Sequence, residues 1–383
     1  MAFIPYGRQS VDDADVESVV NVLRSDFLTQ GPVVPQFEQA VAGYVGASHA
    51  VAVCNATAAL HLACLALGVG PGDRVWTSPI TFTASANCAR YCGAAVDFVD
   101  IDPATYNMSI NALMTKLEGA AQVDALPKVV IPVHMCGLSC DMAEIARLAE
   151  IYGFRVIEDA SHAVGGTYRN ERVGCCRYSD ITIFSFHPVK IITTGEGGMA
   201  LTNDQSLSRQ MELLRSHGIT RRADEMSHAS DGPWYYQQVA LGYNYRMTDI
   251  QAALGLSQLD HIENWIELRH RVALRYNEAF RSMPLTAPTA PADARSANHL
   301  YVVLVEDRKC VFEKMREAQI GVNVHYIPVH LQPYYRNLGF KVGDFPLAES
   351  YYERAISLPI LRTGLSYGTA SRCATMRHLD PCR

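Results

Sequence analysis

Apolar and polar positions alternate in blocks along this chain, and the blocks read as strands and helices taking turns. Near the N-terminus Val16, Val19, Val20 and Leu23 recur at helical spacing behind Ser10 and Asp13, which read as a capping box. Thr29-Gln30-Gly31-Pro32 breaks that helix. A second is predicted from near Pro35, with Phe37, Val41 and Tyr44 on one face. Residues 49–54 alternate like a strand, and after Asn55-Ala56-Thr57 a helix is predicted over 58–67, ended by Gly68. Strands are predicted at 74–77, 94–99, 128–133 and 154–157, and helices over 82–89 and 142–152, the latter stopped by Gly153. Further on come a helix over 207–217, a polar, helix-poor loop over 217–233 and a helix over 248–265. Residues 276–291 gather prolines and alanines like a domain joint, and strand, helix and strand follow at 299–305, 311–318 and 322–327.

Strands alternating with helices predict an α/β fold, with a parallel or mixed sheet wrapped in helices. The chain divides accordingly into an N-terminal helical arm (1–46), a large domain (47–275), a small α+β C-terminal domain (276–361) and a tail (362–383) of different character. From Arg362 on there is no helical stripe, and acidic residues give way to basic ones and two more cysteines. This tail is expected to be poorly packed, or foreign to the fold, as a shifted reading frame would produce.

In sheets of this kind ligands gather at the carboxyl ends of the strands, and the candidate chemistry falls there. The most telling stretch is 180–198. Ile181, Ile183, Phe184 and Phe186 suit a buried strand, and a second apolar run begins at Met199. Between them stand Ser185, His187, Lys190, Thr193, Thr194, Glu196 and three glycines, 195, 197 and 198, which permit positive φ and close backbone approach. Lys190 is either an ordinary solvated lysine or one held in a dry pocket, where a lowered pKa leaves a neutral amine able to form a Schiff base. Asn55 and Thr57 open a helix directly after a strand, an arrangement that either caps the helix or binds an anion with its free N–H groups. Asp159, after the 154–157 strand, reads equally as a helix cap or as a site carboxylate.

Composition removes several classes. The 383 residues carry a formal net charge of −6 and no long basic run, which argues against nucleic acid as a partner. The most apolar stretch, 51–69, is interrupted by Cys54, Asn55, Thr57 and His61, so no membrane span is expected, and the first ten residues lack the layout of a signal peptide. The 11 cysteines include no C-x-x-C pair, which fits a reduced, cytoplasmic protein better than a disulfide framework. Cys136 and Cys140 beside His134 match no zinc spacing, and no metal site is expected.

Six segments, taken in order, carry a resemblance: CNATAALHLA, WTSPITF, IEDASHAVGG, SFHPVKIITTGEGG, LGYNYRMTDIQAALG and VHYIPVHLQPYY. They resemble the DegT-type sugar aminotransferases, a branch of the fold-type-I pyridoxal-phosphate (PLP) enzymes, and the likeness runs from Ile4 to Pro359. Within the family it is most like the branch of the pseudaminic acid pathway. The resemblance implies the aspartate aminotransferase-like fold, pyridoxal 5′-phosphate as cofactor, and transfer of an amino group from L-glutamate, leaving 2-oxoglutarate, to C4 of a UDP-linked 4-keto-6-deoxy-N-acetyl sugar.

By the same resemblance Lys190 is the lysine joined covalently to the cofactor and Asp159 the carboxylate paired with its pyridine nitrogen. Phe82 stacks on the ring, and Ala56, Thr57 and Ser185 form the phosphate cup. His162 lies beside the cofactor near its 3-hydroxyl. Asn244 reaches the phosphate from the partner of a homodimer with shared sites, and His325 and Tyr326 lie near the sugar nucleotide. His187, inside the lysine motif, is either a site residue or a structural one. Related alternatives are a C3 or C4 aminotransferase on a dTDP- or GDP-sugar, a PLP-dependent sugar dehydratase, against which Lys190 argues because such relatives carry histidine there, and a regulator that binds PLP without turnover. The family pattern of a closing acidic helix is absent after Leu358-Pro359, so no function is carried past Ile360.

Overall fold

The computed structural model describes residues 3–361; what was expected of the tail 362–383 lies outside the described residues. Seven strands form the central sheet: β1 (His49–Val53), β2 (Arg74–Thr77), β3 (Ala95–Phe98), β4 (Val129–Ile131), β5 (Arg155–Asp159), β6 (Ile181–Ser185) and β7 (Gly198–Thr202). Their spatial order is β1-β7-β6-β5-β4-β2-β3. The pairs from β3 through to β6 are parallel, while β7 runs antiparallel to both β6 and β1. This is the mixed sheet that the alternation implied. β6 and β7 are buried at every position, which is why their sequences read as continuous apolar runs.

Helices α1 (Asp13–Leu23) and α2 (Val33–Val45) are docked, not free-standing. The capping box of α1 uses Asp12 and Asp15, not Ser10 and Asp13, because the Asp12 carboxylate sits where the Asp15 amide can reach it at 3.0 Å. α2 begins two residues before Pro35 and has no side-chain cap of its own. Its first amides instead donate to the buried carboxylate of Asp249: Gly31 and Val33 at 2.8 Å and Val34 at 3.1 Å. A charge from the far end of the chain thus caps this helix, a stabilisation that local sequence cannot display.

Helix α3 (Ala56–Ala66) follows β1, with Asn55 as its cap, and α4 (Ala84–Tyr91) follows β2. A helix that the pattern had not marked, α5 (Ile110–Ala121), is capped by Ser109 and buries Leu113, Leu117 and Ala120 on one face. α6 (Met142–Tyr152) and α7 (Gln205–Arg215) stand close to expectation. The loop expected over 217–233 is part of a short hairpin pairing Ile219–Thr220 with Gln237–Gln238.

The helix expected over 248–265 is two helices, α8 (Asp249–Leu259) and α9 (Ile262–Phe280). The break at Asp260-His261 redirects the chain, and the buried face of α9 continues through Ile262, Ile266, Val272, Ala273, Tyr276 and Phe280. The first residues assigned to a domain joint are therefore helical. The C-terminal sheet also differs. β8 (Tyr301–Leu304) pairs antiparallel with β9 (Ala355–Leu358), and 322–327 is irregular apart from a bridge between Asn323 and Ser357. The Asn323 side chain accepts the Val324 amide at 2.8 Å, a local bond that competes with ladder formation. Between the two strands lie α10 (Arg308–Glu317) and α11 (Pro346–Arg354). Buried Arg269 of α9 gathers the carbonyls of Asn298, His299 and Ile360 at 3.1–3.2 Å, tying β8 to the chain just past β9.

Candidate active site

β1, β5 and β6 point the same way, and their carboxyl ends open on one cavity of about 530 Å3. The turn after β1 brings Asn55, Ala56 and Thr57 to its wall. The Asn55 carboxamide oxygen accepts the Ala58 amide at 2.8 Å, which leaves Ala56 and Thr57, the first two residues of α3, with amides that no helical carbonyl can reach. Cap and anion site are therefore compatible: Asn55 caps, and its neighbours supply the free donors. Ser185, buried at the end of β6, lines the same region.

Gly198, the first residue of β7, explains why the loop after Lys190 is rich in glycine. A Cβ there would lie 2.5 Å from the Ala56 nitrogen, so only glycine lets β7 pass under the α3 turn. Gly195, with φ +79°, supplies the left-handed turn.

Asp159 is the last residue of β5 and no helix follows it, so the cap reading is excluded. Its backbone is pinned to the strand beside it: the amide donates to Pro132 O at 2.9 Å and the carbonyl accepts the His134 amide at 3.0 Å. The carboxylate accepts Ser85 Oγ at 2.5 Å and the Ser161 amide at 3.2 Å, and it lines the cavity. Just behind, the buried His134 ring accepts the Cys140 amide on Nδ1 and donates from Nε2 to Glu158 at 2.7 Å, while Cys140 Sγ donates to Val133 O. The histidine and this cysteine are thus committed to holding the β4–β5 junction.

Lys190 lies on the turn that closes when its amide donates to His187 O, and its side chain reaches the cavity. Burial lowers its ammonium pKa from 10.5 to about 8, against the opposing pull of the Asp159 charge. His187 is exposed at the rim.

A cluster of rings forms the remaining wall. His162 Nε2 is 3.0 Å from the Tyr326 hydroxyl, and its ring centre is 4.5 Å from that of His299. His162 Nδ1 and His299 Nδ1 are buried without a hydrogen-bond partner. Burial first, and then the nearby Lys190 charge and neighbouring rings, hold both imidazoles well below their usual pKa, so both are neutral at pH 7. His325 is lowered to about 4 by burial and by Lys190, and its Nδ1 lies 2.8 Å from Ser357 Oγ. Tyr6, from the N-terminal segment, packs on His325 with centroids 5.4 Å apart. Phe82 lines the cavity yet is 59% exposed, its nearest ring being Tyr326 at 6.3 Å.

Lys190, Asp159, Ala56, Thr57, Phe82, His162, Ser185, His325 and Tyr326 thus converge on one cavity. Asn244 does not line it: it is exposed and bridges through its backbone to Ser216. The sequence reading missed Tyr6 and His299, which reach the cavity by long-range packing and carry no local signal. It also missed Thr81, which lines the cavity, and Ser85, whose hydroxyl stands one step behind its surface on Asp159.

Residues 9–373 match the DegT/DnrJ/EryC1/StrS aminotransferase family, a match that extends past Ile360. The spore coat polysaccharide biosynthesis protein SpsC of Bacillus subtilis is 42% identical over 367 residues, 94% of this chain and 92% of that protein. The UDP-4-amino-4,6-dideoxy-N-acetyl-beta-L-altrosamine transaminase of Campylobacter jejuni is 36% identical over 364 residues, 93% of this chain and 92% of that one. Among solved structures, the PLP form of the putative sugar aminotransferase Spr1654 from Streptococcus pneumoniae superposes with a TM-score of 0.87 at 30% identity, covering 98% of this chain and 97% of that chain.

Proposed function

Because this chain belongs to the DegT/DnrJ/EryC1/StrS aminotransferase family, we propose that it moves the amino group of L-glutamate to C4 of a UDP-linked 4-keto-6-deoxy-N-acetyl sugar, as a step of pseudaminic acid biosynthesis. It is an enzyme, a sugar aminotransferase that works with pyridoxal phosphate. The observation that carries the cofactor chemistry is the convergence of Lys190, Asp159 and the α3 N-terminus on one cavity, and the finer substrate reading is supported by the 36% identity to the UDP-4-amino-4,6-dideoxy-N-acetyl-beta-L-altrosamine transaminase.

The donors of that cavity fit the cofactor. The Ala56 and Thr57 amides and the Ser185 hydroxyl would hold its phosphate, Asp159 its ring nitrogen, and the unpartnered His162 Nδ1 its phenolic oxygen. Bound there, pyridoxal phosphate would supply an aldehyde to take up the amino group and a cationic ring to draw off electrons. Lys190 would hold it covalently and, when released, act as the base. Its neutral amine, the main form above about pH 8, would take the proton from Cα of glutamate and later deliver one to C4 of the sugar. One base serving two half-reactions in one site sets ping-pong kinetics as the expectation. His325 and Tyr326 would face the sugar nucleotide, and the neutral imidazoles leave Lys190 as the mobile cationic charge near the reacting atoms.

Gly198→Ala tests the cradle. Its Cβ cannot coexist with the Ala56 amide as placed, so overpacking is expected to destabilise the protein by about 1–3 kcal/mol and weaken cofactor binding on the order of tenfold. Denaturant melts and a cofactor titration by fluorescence check both, and unchanged affinity would show that this turn does not hold the phosphate.

A homodimer with shared sites is part of the reading. Its support is the exposure of Phe82 at the cavity mouth and of Leu241, 80% exposed, on the segment that carries Asn244. Lys190→Ala and Asn244→Ala chains refolded together are expected to regain activity, because a mixed dimer then holds one site with both lesions and one with neither. A mixture that contains mixed dimers and stays inactive removes the shared site. Among the described residues no helix is long and apolar enough to cross a membrane, and a cytoplasmic location belongs to the proposal.

Substrate choice is tested by turnover with glutamate on UDP-, dTDP- and GDP-linked 4-keto sugars. The UDP-linked N-acetyl sugar is expected to lead in kcat/KM by about tenfold or more. A second reading is a C3 or C4 aminotransferase on another nucleotide sugar: the chain is also 42% identical to SpsC, a spore coat polysaccharide biosynthesis protein, and a dTDP- or GDP-sugar leading the panel would establish that reading.

A further inference from the structure

Helix α4 begins without a side-chain cap: Thr83 occupies the cap position and makes no such bond. Two hydroxyls of the type that usually caps a helix lie within two residues of it, on Thr81 and Ser85, and both are committed elsewhere. Ser85 is fully buried; its Oγ lies 2.5 Å from Asp159 Oδ2 and 2.7 Å from Thr81 Oγ1. An ionised carboxylate can only accept, so the single Ser85 proton points to Asp159, and Thr81 must donate to Ser85. Phe82 O, at 3.3 Å from Ser85 Oγ, is the weaker competitor for that proton, because the short bond to the carboxylate is charge-assisted. The other carboxylate oxygen accepts the Ser161 amide. Each oxygen is therefore tied once to the protein, Oδ2 by the buried Ser85 hydroxyl and Oδ1 by the Ser161 amide at the wall, and remaining lone pairs are left for the cavity. The same turn carries Phe82 to the cavity mouth.

We propose that Ser85, held in turn by Thr81, is a positioning residue that orients the Asp159 carboxylate toward the cofactor's ring nitrogen. The proposal rests on the role given above to Asp159. Without the Ser85 hydroxyl the carboxylate keeps one tie, to Ser161, and gains rotational freedom about its side-chain torsion. The loss falls on the chemical step, because Ser85 lies beneath the cavity wall and touches neither substrate.

Ser85→Ala removes one oxygen and no carbon framework. The variant is expected to melt near the wild-type temperature and to keep KM for both substrates, while kcat falls about tenfold. With pyridoxal phosphate labelled at the ring 15N, the bound nitrogen's resonance is expected to move toward the unprotonated position. Ser85→Thr, which keeps the hydroxyl, is expected to recover most of kcat, and the near-isosteric Thr81→Val to lower kcat less than Ser85→Ala does. The companion variant is Asp159→Asn. If Asp159→Asn is impaired while Ser85→Ala keeps kcat and the 15N position, the proposal alone is overturned. If Asp159→Asn matches wild type, the Asp159 reading falls and this proposal with it. A Ser85→Ala variant that loses stability and KM along with kcat, unrescued by threonine, assigns Ser85 to packing and also overturns it.

Discussion

Lys190→Ala is expected to abolish transamination, with a loss on the order of 10³-fold or more, as for removal of a general base that no neighbour replaces. The loop is built around its amine. β6 ends at Ser185, the 187–190 turn aims the side chain into the cavity, and Gly195 and Gly198 let the chain return past α3. The buried imidazoles of the wall are poor substitutes: the lowered pKa values of His162, His299 and His325 make them weak bases, and His162 and His325 are committed to Tyr326 and Ser357. Lys190→Arg is expected to fail as well, since a guanidinium stays protonated at the pH where the amine works. The pH dependence follows from the sign of the shift. A cation lowered from 10.5 to about 8 yields its neutral form above about pH 8, so labelling of the cofactor-free protein at Lys190 by a small amine reagent should rise through that pH. Labelling that rises only near the ordinary lysine value would overturn the electrostatic account. A Lys190→Ala variant that turns over near the wild-type rate would overturn the residue's role. Partial rescue by added methylamine would show that the amine, not the fold, was lost.

Asp159→Asn should fold and still bind the cofactor, yet turn over about 10²-fold more slowly, the scale at which loss of one preorganised electrostatic group is felt. The two side chains are nearly the same size, and the neighbours can adapt. The Ser161 amide still finds a carbonyl oxygen, and the Ser85 hydroxyl, now facing an NH2 or an oxygen, can accept or donate. The negative charge is lost, and with it the proposed partner of the cofactor's ring nitrogen. Steady-state kinetics against a folding control decides the matter: a wild-type kcat would remove Asp159 from the mechanism, and a collapsed melting temperature would make it structural.

Local pattern was enough for most of the sheet and for the residues at its strand ends. β2 and α6 fall where alternation and helical spacing placed them, and β1, β6 and β7 lie within a residue or two, because burial on both faces imprints apolar runs that a reader can find. Departures came where distant groups decide. The α2 start answers to Asp249 across more than two hundred residues of chain. The segment 322–327 is apolar enough for a strand, but β9 takes the place beside β8. The break between α8 and α9 follows packing on other helices, with no proline or glycine to announce it.

The site divides along the same physical line. Asp159, Asn55 and Ser185 are legible one at a time because each ends a strand or caps a helix, and Lys190 because it sits on the polar, glycine-rich loop between two apolar runs. Their meeting in one cavity depends on β1, β5 and β6 running parallel, a property of the sheet and not of any segment. The same holds for Tyr6 beside His325, for His299 against His162, and for Ser85 behind Asp159. Those contacts join residues tens to hundreds of positions apart, and burial then sets the charge of each group. Residue type and spacing carry the chemistry that is possible; desolvation and neighbouring charge, which exist only once the chain has closed on itself, choose which protonation state each group holds.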